Sequence, residues 1–421
     1  MPEHVLVVGG GLDFPAVMRG LAEGITTTLM CRLESVATAH EPAGHRRVLG
    51  MRADAGTEEW VAAAADAHRA EPFTRIGCFG EHDQDRAAAI AAALGLPGHS
   101  PETVRLVHHK PSMRERLRTA GVDPTPAAVV RDERELRAFV AEHGYPCIAK
   151  PADGVGSVGI RRIESAADLG PALATAGERG PWASGEVLVE RFHRGPQFSV
   201  EAFSEDGRHR VVCLTRKFSD PETFVEVGHV LPAEVPAATR EAIAAHVEAV
   251  LDAVGITFGP SCTEVVWTDE GPRTIETHVR MSGARIPQLV RSALGVDLAG
   301  LTARQIAGER GLLARIDEEL AAAAARPARH DAIWLAVVRG GGVLESVSGL
   351  EEVRALEYVE EAEVQVAPGS RLEPLASAFS RIGHVRAHGP DAATAVERAQ
   401  RALDRIGFHA RLDVRPVRDA V

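Results

Sequence analysis

Charged side chains interrupt apolar segments at three places in the middle of the chain. Lys150 lies near the end of the apolar segment YPCIAKP, directly before a glycine-rich stretch. Glu264 lies in SCTEVVW and Glu276 in TIETHVR, with a turn signal at 269–271 between them. On a hairpin the two carboxylates are expected to face each other, where they can hold a divalent cation. A lysine that ends a buried strand needs an anionic partner, so this set predicts a site for a phosphate ligand and a metal ion.

The glycines after Lys150 fit two kinds of nucleotide site. Gly154, Gly156 and Gly159 have the G-x-G-x-x-G spacing of dinucleotide-binding loops. Those loops lead from a strand into a helix whose N-terminus faces the pyrophosphate. Here the segment that follows, GIRRIES, alternates like a strand. The sequence therefore favours a hairpin flap whose amides cover a phosphate, rather than a loop that binds NAD.

Strands and helices alternate at the N-terminal end of the chain, which predicts an α/β domain. The pattern consists of an apolar strand at 5–11, helices at 57–70 and 85–94, and a strand at 75–80. The glycines at 9–11 end the first strand. They would allow a ligand to approach closely, but they lack a third spaced glycine, and a structural turn is the favoured interpretation.

The last third of the chain is predicted as a separate unit. The alanine-rich segment at 320–329 is interpreted as a join, and AIWLAVVRGGGVLESV, which follows it, as a β-hairpin. A helix is predicted at 391–406. His384 and His388 lie on a strand-like segment without a nearby carboxylate cluster, so no zinc site is expected there.

Composition limits the class of protein. The chain has 421 residues, 45% hydrophobic and 25% charged, as in globular proteins of about two to four domains. A net charge of −12 argues against a general nucleic-acid binder, because phosphate backbones are bound by clustered basic residues. Five scattered cysteines without C-x-x-C spacing favour reduced thiols. With no signal-peptide pattern and no bilayer-length apolar run, we expect a cytoplasmic protein without membrane contact.

Taken in order, the motifs from about residue 108 to 310 resemble the ATP-grasp carboxylate–amine ligases, and most of all the bacilysin-type L-amino-acid ligases that make dipeptides. The family's lysine strand and flap resemble IAKPADGVGSVGI, and its adenine hinge resembles LVERFHRGPQFSVE. Its metal hairpin is similar to TEVVW followed by IETHVRMSG, and its substrate segment to FVEVGHVLPA. The family's C-terminal domain is similar to SRIGHVRAHGPDAATAVERA.

The resemblance implies roles in nucleotide and metal binding. Lys110 and Lys150 would contact the α- and β-phosphates of ATP. Glu264 and Glu276 would carry Mg²⁺, or Mn²⁺ in its place. The other residues implied for the nucleotide lie in the flap and along the adenine and ribose pocket: Gly154, Gly156, Ser157, Glu190, Arg191, His193 and Gln197.

Three further residues are implied in catalysis. Arg280 would stabilise the negative tetrahedral intermediate. Glu226 and His229 would face the amino-acid substrate, and one of them would be the base that deprotonates the attacking amine. From the residues alone, Arg280 also fits a structural bridge between carboxylates, His229 a core histidine, and Lys110 an exposed lysine at a helix start.

Two positions depart from the family pattern. Gln197 stands where the family usually has a glutamate that binds the ribose hydroxyls. An amide still accepts a bond from one hydroxyl, so we expect ATP to bind, but more weakly. His278 stands where many of these enzymes have a metal-binding asparagine, and imidazole suits Mg²⁺ less well than an amide oxygen. His278 is therefore not predicted as a ligand.

The predicted fold class is α/β and α+β, in the ATP-grasp arrangement. A Rossmann-like α/β domain is expected at 1–107 and an ATP-grasp domain at 108–320, with its lid at about 125–188. A C-terminal α+β domain is expected at 321–421.

The predicted function is ATP-dependent formation of an amide bond between two amino acids, through an acyl phosphate and with release of ADP and phosphate. The expected partners are small carboxylate and amine substrates, without nucleic acid. Homodimers are common in the family, although no segment here identifies an interface. Three alternatives stay open: another ATP-grasp ligase, such as a carboxylase or a purine-pathway enzyme; a non-catalytic nucleotide-binding protein; and an NAD oxidoreductase.

Overall fold

Helices and strands alternate throughout the computed structural model, which describes residues 3–11, 13–21, 23–179 and 183–412. The helices are α1 (Phe14–Leu21), α2 (Leu33–Val36), α3 (Thr57–Ala70), α4 (Gln84–Leu94), α5 (Pro101–His108), α6 (Lys110–Thr119), α7 (Glu133–His143), α8 (Leu169–Ala176), α9 (Ala237–Val254), α10 (Ile286–Leu294), α11 (Leu298–Ile306), α12 (Leu312–Ala324), α13 (Leu350–Arg354) and α14 (Ala392–Leu403). No helix in these described ranges has both the length and the apolar character needed to cross a bilayer.

The strands form four sheets, described below. They are β1 (His4–Val8), β2 (Thr26–Arg32), β3 (Arg47–Met51), β4 (Arg75–Cys78), β5 (Ala127–Val130), β6 (Cys147–Pro151), β7 (Arg161–Ile163), β8 (Val187–Arg191), β9 (Gln197–Glu205), β10 (Arg208–Ser219), β11 (Glu226–Leu231), β12 (Gly259–Thr268), β13 (Gly271–His278), β14 (His330–Val337), β15 (Gly342–Ser348), β16 (Val359–Val364), β17 (Arg371–Leu372), β18 (Arg381–Gly389) and β19 (Gly407–Leu412).

A parallel sheet of order β3-β2-β1-β4 forms the N-terminal part. On one face Leu6 and Val8 pack with Trp60 of α3, and on the other Val5 and Val7 pack with residues of α1 and α11. Burial on both faces explains the continuous apolar sequence of β1. The predicted α/β pattern is confirmed. Strands β2 and β3 were not recognised, because their sequences TTTLMCR and RVLGM mix polar with apolar residues.

The glycines after β1 form a turn. Gly9 and Gly11 have φ angles of 86° and 70°, in the left-handed region that glycine adopts without strain. The structure therefore supports the structural interpretation of this triplet.

A lid sheet of order β5-β8-β6-β7 is antiparallel throughout, with α7 and α8 packed on one face. The glycine loop runs from β6 into β7, so it joins two paired strands, as predicted. We call residues 153–159 the flap. Asp132 caps the start of α7, since its Oδ1 accepts a bond from the Glu135 amide at 2.8 Å. Residues 180–182, within the predicted lid, lie outside the described ranges.

The central sheet has eight strands in the order β13-β12-β9-β10-β11-β14-β18-β16. Helix α9 packs on one face, and α10, α11 and α12 pack on the other. Its last three strands belong to the predicted C-terminal domain, yet they continue the ATP-grasp strands through the pairing of β11 with β14. The predicted division at residues 320–321 thus separates segments that share one sheet. The domain limits stay a prediction, and residues 413–421 lie outside the described part.

Two predictions for the C-terminal third were wrong. β14 and β15 do not form a hairpin: β14 pairs with β11 and β18, and β15 pairs with β17 and β19. The glycines between them signal a turn but do not decide which strands pair. The alanine-rich segment at 320–329 is interpreted from the sequence as a linker, but its first residues belong to α12, because alanine favours helix.

The pairing of β11 with β14 allows a test of the continuous central sheet. Gly228 lies opposite Trp334, and a Cβ atom at position 228 would lie 2.3 Å from the indole ring. We expect Gly228→Ala to lower the free energy of unfolding by about 1–3 kcal/mol, because the ring must move. Denaturant unfolding measures this.

Gly20→Ala is the matched control, since a Cβ there meets nothing within 4 Å. It lies in α1, where alanine is favoured, so this variant is expected to be at least as stable as the parent. Equal stability of the two variants would contradict the packing of β14 on β11.

Candidate active site

A cavity of about 850 Å³ lies between the lid sheet and the central sheet. The loop after β4, the start of α6 and the turn before β18 complete its walls. Every residue predicted for the site lines this one cavity: Lys110, Lys150, Gly154, Gly156, Ser157, Glu190, Arg191, His193, Gln197, Glu226, His229, Glu264, Glu276 and Arg280.

Lys150 lies in a buried ion-pair group at the lid side of the cavity. Its Nζ is 2.9 Å from Glu190 Oε1, and Arg114 Nη2 donates to Glu190 Oε2 at 2.8 Å. Burial lowers the pKa of Lys150, whereas Arg114 and Lys150 lower the pKa of Glu190 although burial opposes them. Glu190 is thus the anionic partner that the sequence required for Lys150. Any contact from Glu190 to an adenine would come from its backbone.

Lys110 connects the hairpin of β12 and β13 with the flap. Its Nζ donates to the carbonyl of Gly154 at 2.7 Å and lies 3.1 Å from Glu276 Oε2. The side chain is 10% exposed, so Lys110 is not an ordinary surface lysine. Its ammonium lies where it can reach both a carboxylate and an anion under the flap.

Glu264 and Glu276 are direct partners in the pairing of β12 with β13, and both side chains line the cavity. Lys217 Nζ lies 2.6 Å from Glu264 Oε2. Burial and the neighbouring Glu276 raise the pKa of Glu264 in spite of Lys217. For Glu276, burial is outweighed by Lys110 and His278, which hold its pKa well below the usual range. Two opposed, half-buried carboxylates need cations to offset their repulsion, and their hard oxygen donors fit Mg²⁺.

His278 lies between two carboxylates. Its Nδ1 is 3.3 Å from Glu81 Oε1, and its Nε2 is 3.3 Å from Glu276 Oε1. Burial lowers its pKa, but Glu81 and Glu276 outweigh burial and raise it to about 9. A protonated imidazole has no lone pair to offer a metal, which accords with leaving His278 out of the ligand set.

Arg280 follows on the same segment and also pairs with Glu81, through its Nε. Its Nη1 donates to the carbonyl of Met281 at 2.9 Å. These bonds fix the guanidinium, which has five N–H donors in total, and leave the remaining donors for a ligand oxygen. Arg280 therefore does not bridge Glu264 and Glu276, as the structural alternative would have it; its partner carboxylate among the described residues is Glu81.

His229 and Glu226 lie on β11 at the far side of the carboxylate pair. His229 is 1% exposed, and neither ring nitrogen has a hydrogen-bond partner among the described residues. Burial lowers its pKa to about 4. Glu226 is held on both oxygens, by Lys217 Nζ at 2.7 Å and by Arg381 Nη2 at 2.7 Å. His229 is thus a neutral ring with free nitrogens, and Glu226 is a fixed carboxylate.

The remaining predicted nucleotide residues line the cavity at the end of β8, in the turn after it and at the start of β9. Arg191 is exposed at the end of β8, and Gln197 is half-buried at the start of β9. His193 Nε2 is 2.9 Å from Thr125 Oγ1, and burial lowers its pKa to about 4. The structure brings these residues together, and their roles stay predictions.

The predicted set leaves out several charged residues of the cavity, among them Lys217, Glu81 and Arg381. Lys217 is 6% exposed. It is a lysine within an apolar strand sequence, which is the same signal that identified Lys150. Glu81 and Arg381 come from the loop after β4 and from the start of β18, far along the chain from the motifs they join. No local pattern would have placed them there.

The expectation that His384 lacks nearby carboxylates was wrong. Ligand atoms of His384, Glu361 and Glu363 lie within 4.8 Å of one another, because β16 pairs with β18. Arg386 donates to Glu361 at 2.9 Å and Arg285 to Glu363 at 2.8 Å. Since both carboxylates already have arginine partners, we interpret this group as an ion-pair cluster.

Two family models match the chain. Residues 143–288 match the ATP-grasp domain, and residues 334–411 match the L-amino acid ligase C-terminal domain 2. The second match begins in β14 and covers most of the predicted C-terminal domain.

Curated relatives of two kinds are similar to the chain. A protein of Sinorhizobium fredii, y4rH, described as uncharacterised, is 30% identical over 76% of this chain, which spans 64% of that relative's length. The phosphoribosylamine–glycine ligase of Streptomyces coelicolor is 28% identical, with 96% of each chain covered.

Among solved structures, the L-amino acid ligase of Bacillus licheniformis superposes with a TM-score of 0.79 at 19% identity. The match covers 97% of this chain and 99% of that one. This likeness shows that the two chains share a fold.

The burial of His229 predicts an unusual titration. With a folded pKa of about 4, below the value of about 6.5 for an unfolded chain, the ring stays neutral between pH 5.5 and 8. Its contribution to stability is lost as pH falls from about 6.5 towards 4, because the unfolded chain takes up a proton that the folded chain does not. Imidazole NMR spectra across this range test this, with His229→Gln to identify the signal. A midpoint for His229 above pH 6 would contradict the buried, neutral ring.

Proposed function

Because the chain belongs to the ATP-grasp superfamily of carboxylate–amine ligases, we propose that it joins the carboxylate of one amino acid to the amine of another at the expense of ATP. The substrates are thus two small molecules, with ATP as the phosphoryl donor and Mg²⁺ or Mn²⁺ as the metal.

One observation carries this proposal: a single cavity combines two opposed carboxylates, two lysines beside a flap, and a separate polar group around β11. Small-molecule sites commonly measure about 300–1,000 Å³, so 850 Å³ suits a nucleotide together with a small substrate. The Glu226–Lys217–Arg381 group offers charges of both signs, which matches the ends of an amino acid.

In the first step, an oxygen of the substrate carboxylate attacks the γ-phosphorus of ATP, and the bond to ADP breaks. Lys110 and Lys150 would bind phosphate oxygens on the two sides of the flap. Glu264 and Glu276 would hold Mg²⁺, which supplies charge neutralisation at the phosphates. Flap amides would cover the phosphates and keep water from the acyl phosphate.

In the second step, the amine nitrogen attacks the acyl carbon, the bond to phosphate breaks, and phosphate leaves. Arg280, held in place by Glu81, would donate to the oxyanion. The amine must lose a proton, and His229 is better placed to take it than Glu226. His229 has free ring nitrogens, whereas both oxygens of Glu226 are already bound to cations.

Two other functions have some support. The glycine ligase that matches 96% of the chain favours a different ATP-grasp reaction, with phosphoribosylamine and glycine as substrates, whereas a carboxylase would use bicarbonate. Gln197 and His278, the two departures from the family pattern, favour a protein that binds ATP without turning it over. An NAD oxidoreductase is disfavoured, because the glycine loop leads into a strand.

A screen of ATP consumption separates these functions. The protein is incubated with MgATP and each pair of amino acids, and separately with glycine plus phosphoribosylamine and with bicarbonate. ADP release is measured, and products are identified by mass. A dipeptide product supports the proposal, whereas turnover only in the other mixtures, or ATP binding without ADP in all of them, contradicts it.

The metal hairpin gives a sharper prediction. Glu276→Gln keeps the shape of the side chain but removes the charge that faces Lys110 and Glu264. We expect ADP formation to fall by about 100-fold or more, since metal-held charge contributes several kcal/mol to such transition states. Steady-state ADP assays measure this.

Glu270→Gln is the matched control for that variant. It removes one carboxylate from the same hairpin, at the turn, where the side chain is 65% exposed. Its activity is expected to equal that of the parent. Unchanged turnover in Glu276→Gln would contradict the proposal that Glu276 binds the metal ion.

A further inference from the structure

Three different parts of the chain bind the flap. Lys110 Nζ donates to the carbonyl of Gly154 at 2.7 Å. The amide of Ala378 donates to the carbonyl of Gly156 at 2.9 Å. Ser157 Oγ donates to the carbonyl of Phe224 at 3.2 Å. The flap is therefore attached to α6, to the C-terminal part of the chain and to the segment before β11.

The contact from the C-terminal part is made by a short 3₁₀ turn, Ala378–Ser380, directly before β18. Its own side chains order it. Ser377 Oγ accepts a bond from the Phe379 amide at 3.2 Å, and Ser380 Oγ donates to the carbonyl of Pro374 at 3.0 Å. The turn thus presents the Ala378 amide to the flap from a fixed position.

An aromatic ring accompanies this hydrogen bond. A Cβ atom on Gly156 would lie 3.2 Å from Phe379 Cε2 and 3.5 Å from the Ala378 methyl group. Gly156 also has a φ of 66°. Both the close contacts and this backbone conformation therefore favour glycine at the position. Phe379 is 66% exposed, which is unusual for so large an apolar side chain. Its ring lies at the mouth of the cavity, which it helps to line.

The same turn leads directly into the substrate side of the cavity. Arg381, the first residue of β18, binds the carboxylate of Glu226 and donates to the backbone carbonyl of Glu226 at 3.0 Å. One short segment of the C-terminal part therefore contacts the flap at one end and β11 at the other. This segment therefore connects the flap with the Glu226–Lys217–Arg381 group.

We infer that Ala378 and Phe379 are positioning residues that hold the flap closed over the cavity. They act through Gly156 and touch no reacting atom. The inference rests on the proposed function for its chemical consequence. A flap that opens admits water to the acyl phosphate, whose hydrolysis returns the free carboxylate and phosphate. ATP is then consumed without amide formation.

The geometry offers a variant that removes the hydrogen bond alone. Ala378→Pro lacks the amide proton that Gly156 accepts, while proline suits the first position of a helical turn. The preceding Ser377 is extended, with φ −159° and ψ 171°, as a residue before proline requires. Ala378→Ser keeps the amide and is the control.

Phe379→Ala removes the ring contact and is a second, independent variant. Since the ring is largely exposed, its loss leaves the core intact. Leu33→Ala is the matched control, because Leu33 is also exposed, at 56%, and does not line this cavity among the described residues.

Hydrogen exchange on the full-length protein, with and without MgADP, tests the positioning directly. We expect amides in peptides that contain the flap to exchange about two- to tenfold faster in Ala378→Pro and in Phe379→Ala. Both control variants are expected to match the parent. Unchanged flap exchange in both test variants would overturn the inference, whatever reaction the protein catalyses.

The coupling ratio tests the consequence in the same variants. We expect the phosphate released per amide formed to rise above the parent value, together with the KM for ATP. A ratio that stays at the parent value while flap exchange rises would overturn the role in excluding water. If the parent forms no amide with any substrate pair, the proposed function fails, and the exchange result still decides whether the turn holds the flap.

Discussion

The opposition of two carboxylates on neighbouring strands is the constraint on which the site depends. Glu264 and Glu276 face each other across β12 and β13, and both side chains are half-buried. Their mutual repulsion has to be offset by cations, since buried charge without a partner is costly. Lys217 and Lys110 supply two of these cations from other elements. The position of each lysine thus follows from the charge of the hairpin.

These cations connect the hairpin with the rest of the cavity. Lys110 also binds the flap, and Lys217 also binds Glu226 on β11. Further out, Glu81 holds His278 and Arg280, and so brings a loop of the N-terminal part to the same place. The flap side and the β11 side of the cavity are therefore linked through partly buried ion pairs. A change of charge at the carboxylates would be felt on both sides.

Much of the fold could be predicted because local signals and tertiary structure agree. Helix α3 has the predicted bounds, and the turn at 269–271 places Glu264 opposite Glu276. Predictions failed where pairing between distant segments decides the structure. The sequence around the glycines after β14 resembles a hairpin, but its two strands belong to different sheets.

The contrast between local signals and distant contacts also holds for the site. Residues identified within motifs, such as Lys150 and Glu276, line the cavity as expected. Residues that reach the cavity from elsewhere, such as Glu81, Ala378 and Arg381, carry no local pattern. Their position in the cavity depends on which loops the sheets bring together, and local sequence patterns do not predict such contacts between distant segments.

The central claim is that this cavity activates a carboxylate by phosphorylation. The most direct test uses a carboxylate substrate labelled with ¹⁸O in both oxygens, together with MgATP, the second substrate and mass analysis of the phosphate released. Transfer through an acyl phosphate predicts that one labelled oxygen appears in each phosphate formed with product. Phosphate without label, or label found in AMP, would contradict the account.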